Sequence, residues 1–189
     1  MDKQEIFKKL IAFCIDSGAY KANVIPASKI ELNRVFRDMC ASNACGMYNK
    51  CYMCPPDVGD IEKLMSEVSE YDYALVYQTV TPLEDSFDFE GMIEAKKKTY
   101  PLSQEIRKEF FNMNILNALH LGAGGCGVCE TCAKQTDEPC RFPEKAMASL
   151  EAYGFNVSAL AKVSDMKYIN GQNTVTYFGA VLFTLDEEK

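Results

Sequence analysis

The sequence predicts an α+β fold, or its α/β variant, in which helices flank a small, mainly antiparallel sheet. Three observations predict it. Amphipathic helical runs alternate with short β-branched runs along the whole chain. The last two apolar runs read as a hairpin closing on a turn at "NGQN". Nine cysteines fall largely into two short groups that fit neither helical nor strand periodicity, and these groups read as loops. At 189 residues, 48% of them hydrophobic, the chain is long enough to bury a core unaided, and a single domain over 1–189 is expected.

Each element follows from its local pattern. Asp2 and Glu5 form a possible capping arrangement, and Ile6, Leu10, Phe13 and Cys14 recur at helical spacing until Gly18 ends the run. Cys14 lies on that apolar stripe and reads as a small buried hydrophobe. "YKANVIPASKI" holds a short strand that Pro26 confines to a sheet edge or a strand end. Asp60 caps a helix with Ile61, Leu64, Met65 and Val68 on one face. "YALVYQTV", residues 73–80, is a buried strand ended by Thr81-Pro82. Residues 90–119 read as helical with a break at Pro101, after which Leu102, Ile106, Phe110 and Met113 make the apolar stripe. Pro143 suits the start of a short helix with Met147 and Leu150 inward and Gly154 as its stop. Alternating Val157, Ala159, Ala161 and Val163 predict a strand, and "TVTYFGAVLFTL" a central one. Tyr73, Tyr77, Phe110 and Phe111 read as core aromatics.

Composition excludes several function classes. No stretch approaches the roughly eighteen apolar residues of a membrane span, and the amino terminus lacks a secretory h-region. A cytoplasmic protein is expected, with no membrane partner. The net charge of −7 opposes phosphate tracking, so no nucleic-acid partner is expected. Lys96, Lys97 and Lys98, the one basic run, read as a solvated helix face. There is no phosphate-binding loop, since "GAGGCG" is not followed by a helical pattern.

The chemistry lies in the cysteines, which in a reducing compartment point to metal or redox work rather than disulfides. One group reads Cys126-x2-Cys129-x2-Cys132-x7-Cys140. Its first three members repeat the C-x2-C-x2-C run that wraps a [4Fe–4S] cube in bacterial ferredoxins, and Cys140 is the nearest fourth ligand. Glycines 122, 124, 125 and 127 suit tight turning around such a group. Zinc remains the alternative cofactor, although structural zinc usually draws its thiolates from two separated knuckles. The earlier group reads Cys40-x4-Cys45-x5-Cys51-x2-Cys54, followed by Pro55-Pro56. That spacing matches no standard run. It is read as a second metal site or as half of a pair that exchanges ligands with the later loop. The C-x3-C-x2-C spacing of radical enzymes is absent from both groups.

"C-x5-C-x2-CPP", "GAGGCGVCETCA" and "PCRFPEKAMASLEAYGFNV", taken together, resemble the family of predicted metal-binding proteins called domain of unknown function 2284. The resemblance runs from about Cys40 to the final strand. It implies a cysteine-ligated metal or iron–sulfur group and extends to the eight cysteines, Arg141 and Glu144. Tyr52-Met53 stands where the family pattern leads one to expect a tryptophan.

Two side chains beside the loops have competing readings. His120 is either a site residue or a helix C-terminal histidine favoured by the dipole. Arg141 either faces a negatively charged centre or forms a salt bridge with Glu138 or Glu144. No general base and nucleophile pair stands out. The reading is an iron–sulfur protein binding one or two [4Fe–4S] clusters and passing electrons to a redox protein partner, its acidic surface steering it to basic docking patches. The alternatives are a metalloenzyme whose cluster has an open site for a small molecule, and a zinc-stabilised binding module.

Overall fold

The computed structural model describes residues 2–185. Four antiparallel strands form one open sheet in the order β1-β2-β4-β3: β1 (Lys21–Pro26), β2 (Tyr73–Pro82), β3 (Ala118–Leu121) and β4 (Thr174–Phe183). As expected, Pro26 sits on an edge strand and "TVTYFGAVLF" is central, paired with β2 along ten positions and with β3 along four. The five helices are α1 (Lys3–Asp16), α2 (Arg34–Asp38), α3 (Ile61–Val68), α4 (Phe89–Asn112) and α5 (Val157–Val163). The α+β expectation holds.

Side-chain alternation on the central strands creates two cores, one on each face of the sheet. Leu75, Tyr77, Val181 and Phe183 pack against Leu10 and Cys14 of α1 and Leu102, Ile106 and Phe110 of α4. Ala74, Val76, Phe178, Ala180 and Leu182 pack against Leu64 and Val68 of α3, Leu160 of α5 and the segment 148–155. Cys14 is therefore a core residue, and burial pushes its thiol up to about 12. Phe111 departs from the expected core set, because it lies on the outer side of α4 and is 71% exposed.

Four local expectations are overturned, each for an identifiable reason. α4 does not break at Pro101. The Thr99 and Ser103 hydroxyls donate to the Lys96 and Thr99 carbonyls around the proline, and Leu102, Ile106 and Phe110 hold the following turns on the sheet. Nor does the helix reach residue 119. Asn114 adopts φ +58°, Ile115 N–H turns back to the Phe110 carbonyl at 2.9 Å, and the chain leaves as β3. No α-helix follows Pro143, because Arg107 takes the Glu144 and Ala146 carbonyls at 2.6 and 3.2 Å. Only a 3-10 turn, Glu151–Tyr153, precedes the stop at Gly154. Residues 157–163 form α5 rather than a strand, since the Asn156 side chain accepts from Ala159 N–H and caps a helix. The expected closing hairpin is consequently absent; β4 takes β2 and β3 as neighbours.

Candidate metal centre

Both cysteine groups lie in loops, and the fold fixes each loop at its ends. The earlier loop begins on α2, capped by the Asn33 side chain. Arg37 ties it down by donating to the Ala152 and Gly59 carbonyls at 2.9 and 2.8 Å. Within it, Asn43 at φ +54° accepts from Tyr48 N–H, and Cys54 N–H donates to the Cys51 carbonyl at 3.0 Å, closing a tight turn ahead of Pro55. The later loop leaves β3 at Gly122, whose N–H and carbonyl bond to Ala148 and Leu150 at 2.9 and 3.0 Å.

The two loops are then clasped to each other. Lys134 Nζ lies 2.6 Å from Asp57 Oδ1 and 5.7 Å from the centre of the Tyr52 ring. The Tyr52 hydroxyl donates to the Glu138 carbonyl at 2.8 Å. The position where a tryptophan was expected thus carries a hydrogen-bonding fastener. Sequence reading missed Asp57 and Lys134, which stand 77 positions apart.

The clasp brings sulfur to sulfur. The Cys51 thiol interacts with those of both Cys126, from the other loop, and Cys54, from its own. Donation from Cys126 and then Cys54 pulls Cys51 well below the ordinary thiol range despite its burial. The same bonds to Cys51, reinforced by desolvation, push Cys54 and Cys126 up. Thiolate sulfur is a donor suited to a soft or borderline metal. Cys51 and Cys54 are only 2% and 8% exposed.

Cys54 also borders a cavity of about 430 Å³ together with Cys40 and Cys45, the glycine loop at Gly124 and Gly125, and Glu151. Cys129, Cys132 and Cys140 are half-buried on the later loop. Among the described residues no three His, Cys, Asp or Glu side chains are already disposed around one point to hold a metal ion. What the fold brings together is the row Cys51, Cys54, Cys126 and the cavity set Cys40, Cys45, Cys54. All nine cysteines are free thiols.

The neighbouring candidates resolve differently. Arg141 forms the salt bridge to Glu138, at 3.0 Å, and donates to the Thr131 carbonyl at 3.2 Å, bracing the later loop. His120 is not at a helix end. It lies on β3, 5% exposed, with Nε2 2.8 Å from the Tyr77 hydroxyl. Tyr77 in turn lies 2.7 Å from Ser103 Oγ, and Ser103 donates to the Thr99 carbonyl. Only one direction gives every link a proton: Nε2–H to Tyr77, Tyr77 to Ser103, Ser103 to Thr99. Nδ1 is buried without a partner, and burial, followed by the nearby Arg107 charge, pulls the pKa of the ring down to about 3 and keeps it neutral. Gly179, opposite Tyr77 in the ladder, makes this network possible, since a Cβ there would stand 2.3 Å from the phenol.

A family model described as predicted metal-binding protein (DUF2284) matches residues 23–183. No curated protein and no solved structure matches the chain. No helix among the described residues is long and apolar enough to cross a membrane.

Proposed function

Because the chain belongs to the domain of unknown function 2284 family of predicted metal-binding proteins, we propose that it is an iron–sulfur protein that passes electrons to a protein partner. One or two [4Fe–4S] clusters are held by Cys40, Cys45, Cys51, Cys54, Cys126, Cys129, Cys132 and Cys140, with ligands drawn from both loops. The observation that carries this reading is the meeting of Cys51 with Cys126 across the loops. Zinc knuckles also combine ligands from two loops on one ion, so the choice of iron rests on the C-x2-C-x2-C run of Cys126, Cys129 and Cys132, the spacing that wraps a cube in bacterial ferredoxins, where ligands are likewise exchanged between runs. When bound, such a cluster supplies one-electron redox chemistry at a potential set by hydrogen bonding and exposure.

The chain's own residues would hold and insulate the group. Cys51 and Cys54 offer buried sulfurs, the Lys134–Asp57 pair and Tyr52 fix the distance between the loops, and Arg141 braces the later one. A net charge of −7 steers the protein toward basic docking patches on its partner. A reducing, cytoplasmic setting fits nine free thiols.

A second reading, an enzyme with an open metal position, is favoured by one observation. Only three thiols, Cys40, Cys45 and Cys54, border the cavity of about 430 Å³, a volume within the usual range of small-molecule sites. Anaerobic purification followed by iron, acid-labile sulfide and zinc analysis, with paramagnetic resonance of the reduced protein, tests the proposal. Iron and sulfide in equal amounts are expected. Colourless protein with stoichiometric zinc and no labile sulfide would overturn it.

A further inference from the structure

Apart from its three thiols, the cavity of about 430 Å³ bordered by Cys40, Cys45 and Cys54 is largely apolar and aromatic. Phe36, Met39, Tyr48, Phe155, Val157 and Tyr168 line it. Among the described residues Glu151 is the one acidic or basic side chain on these walls, thiols aside. It opens the 3-10 turn whose Ala152 and Tyr153 are buried in the core, and it is itself half-buried. Its charge reaches Cys40, on the same cavity, and raises that thiol. Arg37 also acts on Cys40, but it does not border the cavity and its guanidinium is taken up by the Ala152 and Gly59 carbonyls. No cation or hydrogen-bond donor among the described residues pairs with the Glu151 carboxylate. Its polar neighbours on the wall are turned to other partners: Ser149 Oγ accepts from Ala152 N–H, and the Asn156 amide donates to Glu31 and accepts from Ala159 N–H. A carboxylate withdrawn from water is ordinarily paired. This one borders open space among aromatic side chains, in a cavity that offers it no counter-charge.

We propose that this cavity binds an organic amine in its protonated form, with the ammonium on the Glu151 carboxylate and an apolar body among Phe36, Phe155 and Tyr168. One carboxylate matches one positive charge, and aromatic faces attract a cation further. Walls that hold no second charged group favour a ligand that carries only one. The volume is that of a site for a small molecule such as an arylalkylamine. Placing the amine beside a reactive metal rests on the open-site reading given above; its capture by Glu151 does not.

The test is calorimetric titration of anaerobically purified protein at neutral pH, with iron and zinc measured on the same sample, using benzylamine and its uncharged analogue benzyl alcohol. One saturable benzylamine site is expected, about tenfold or more weaker in Glu151→Gln, as loss of a charge-assisted hydrogen bond predicts. Binding should be severalfold weaker in Met39→Ser and unchanged in Glu62→Gln, a carboxylate of α3 outside the cavity. Met39 is 65% exposed, so shortening it trims the cavity wall without disturbing the core and keeps the test decisive should Glu151→Gln fail to fold. Absence of saturable benzylamine binding, equal binding by Glu151→Gln or by Met39→Ser, or equally tight binding of benzyl alcohol would overturn the proposal. The two readings fail separately. Glu151-dependent benzylamine binding by protein without metal supports the cavity and sinks the open-site metal reading, whereas metal-loaded protein that ignores benzylamine sinks the cavity proposal alone.

Discussion

Mild acid should destabilise this protein through its single histidine. His120 is held neutral in the sheet, with its pKa lowered from 6.5 to about 3. Above pH 6.5 both folded and unfolded chains carry a neutral ring, and the network's full contribution is present. As the pH falls through 6.5 the unfolded ring takes up a proton that the folded one refuses, so the unfolded state is favoured and stability declines toward pH 3. At 1.36 kcal/mol per pH unit the whole loss is about 5 kcal/mol, of which about 2 kcal/mol falls between pH 6.5 and 5, above the range where most carboxylates titrate. Urea unfolding of the wild type and of His120→Gln at pH 7 and pH 5 isolates it. The wild type should lose about 2 kcal/mol more than the variant over that interval, and the imidazole resonances of the folded wild type should show no protonation at pH 5. Parallel losses in the two proteins would refute the neutral, hydrogen-bonded ring.

Three further predictions concern the loops and the sheet. Cys51→Ser should abolish most bound metal while Cys14→Ser leaves metal content intact and lowers stability, as metal analysis and thermal melting of the two variants will tell; equal metal content would remove Cys51 from the centre. Gly179→Ala forces a Cβ to 2.3 Å from the Tyr77 ring and should cost about 1–3 kcal/mol as overpacking, with His120 resonances shifting in step; an unshifted ring would disprove the coupling. Asp57→Asn removes the charge that holds Lys134 and should speed metal loss to a chelator without altering the ligand count, an effect that should weaken in high salt.

Legibility in the sequence followed the range of the forces involved. α1, α3, β2 and β4 were readable because each carries its own periodicity and punctuation within a few residues: the Asp60 cap, the Thr81-Pro82 end, the β-branched run before Phe183. Errors arose where a distant partner decided. Arg107 captured the carbonyls that a helix after Pro143 needed, and helix-side hydroxyls with sheet packing carried α4 through Pro101. Residues 157–163 failed because four small, alternating apolar residues satisfy two periods within one short element, and the decisive Asn156 cap lay just outside it. His120 was misplaced with the helix, and its partner Tyr77, which in turn bonds Ser103, is 43 positions away. The cysteine groups themselves were plain. Their convergence at Cys51 and Cys126, and the Lys134–Asp57 clasp that enforces it, depend on a tertiary fold that spacing cannot encode.

The meeting of Cys51 with Cys126 also makes any metal between them a cross-link. The two residues stand 75 positions apart (126 − 51), and α3, β2, α4 and β3 all lie inside the closed ring. In the chain-entropy view, closing a ring of that length restricts the unfolded ensemble by about 4.5 kcal/mol, far more than a four-residue knuckle would. A metal held there would couple its retention to the cooperative unfolding of the two enclosed strands, β2 and β3. With a metal held at that junction, a chelator would act as a reductant acts on a long-range disulfide, lowering the melting of the sheet itself rather than fraying a loop.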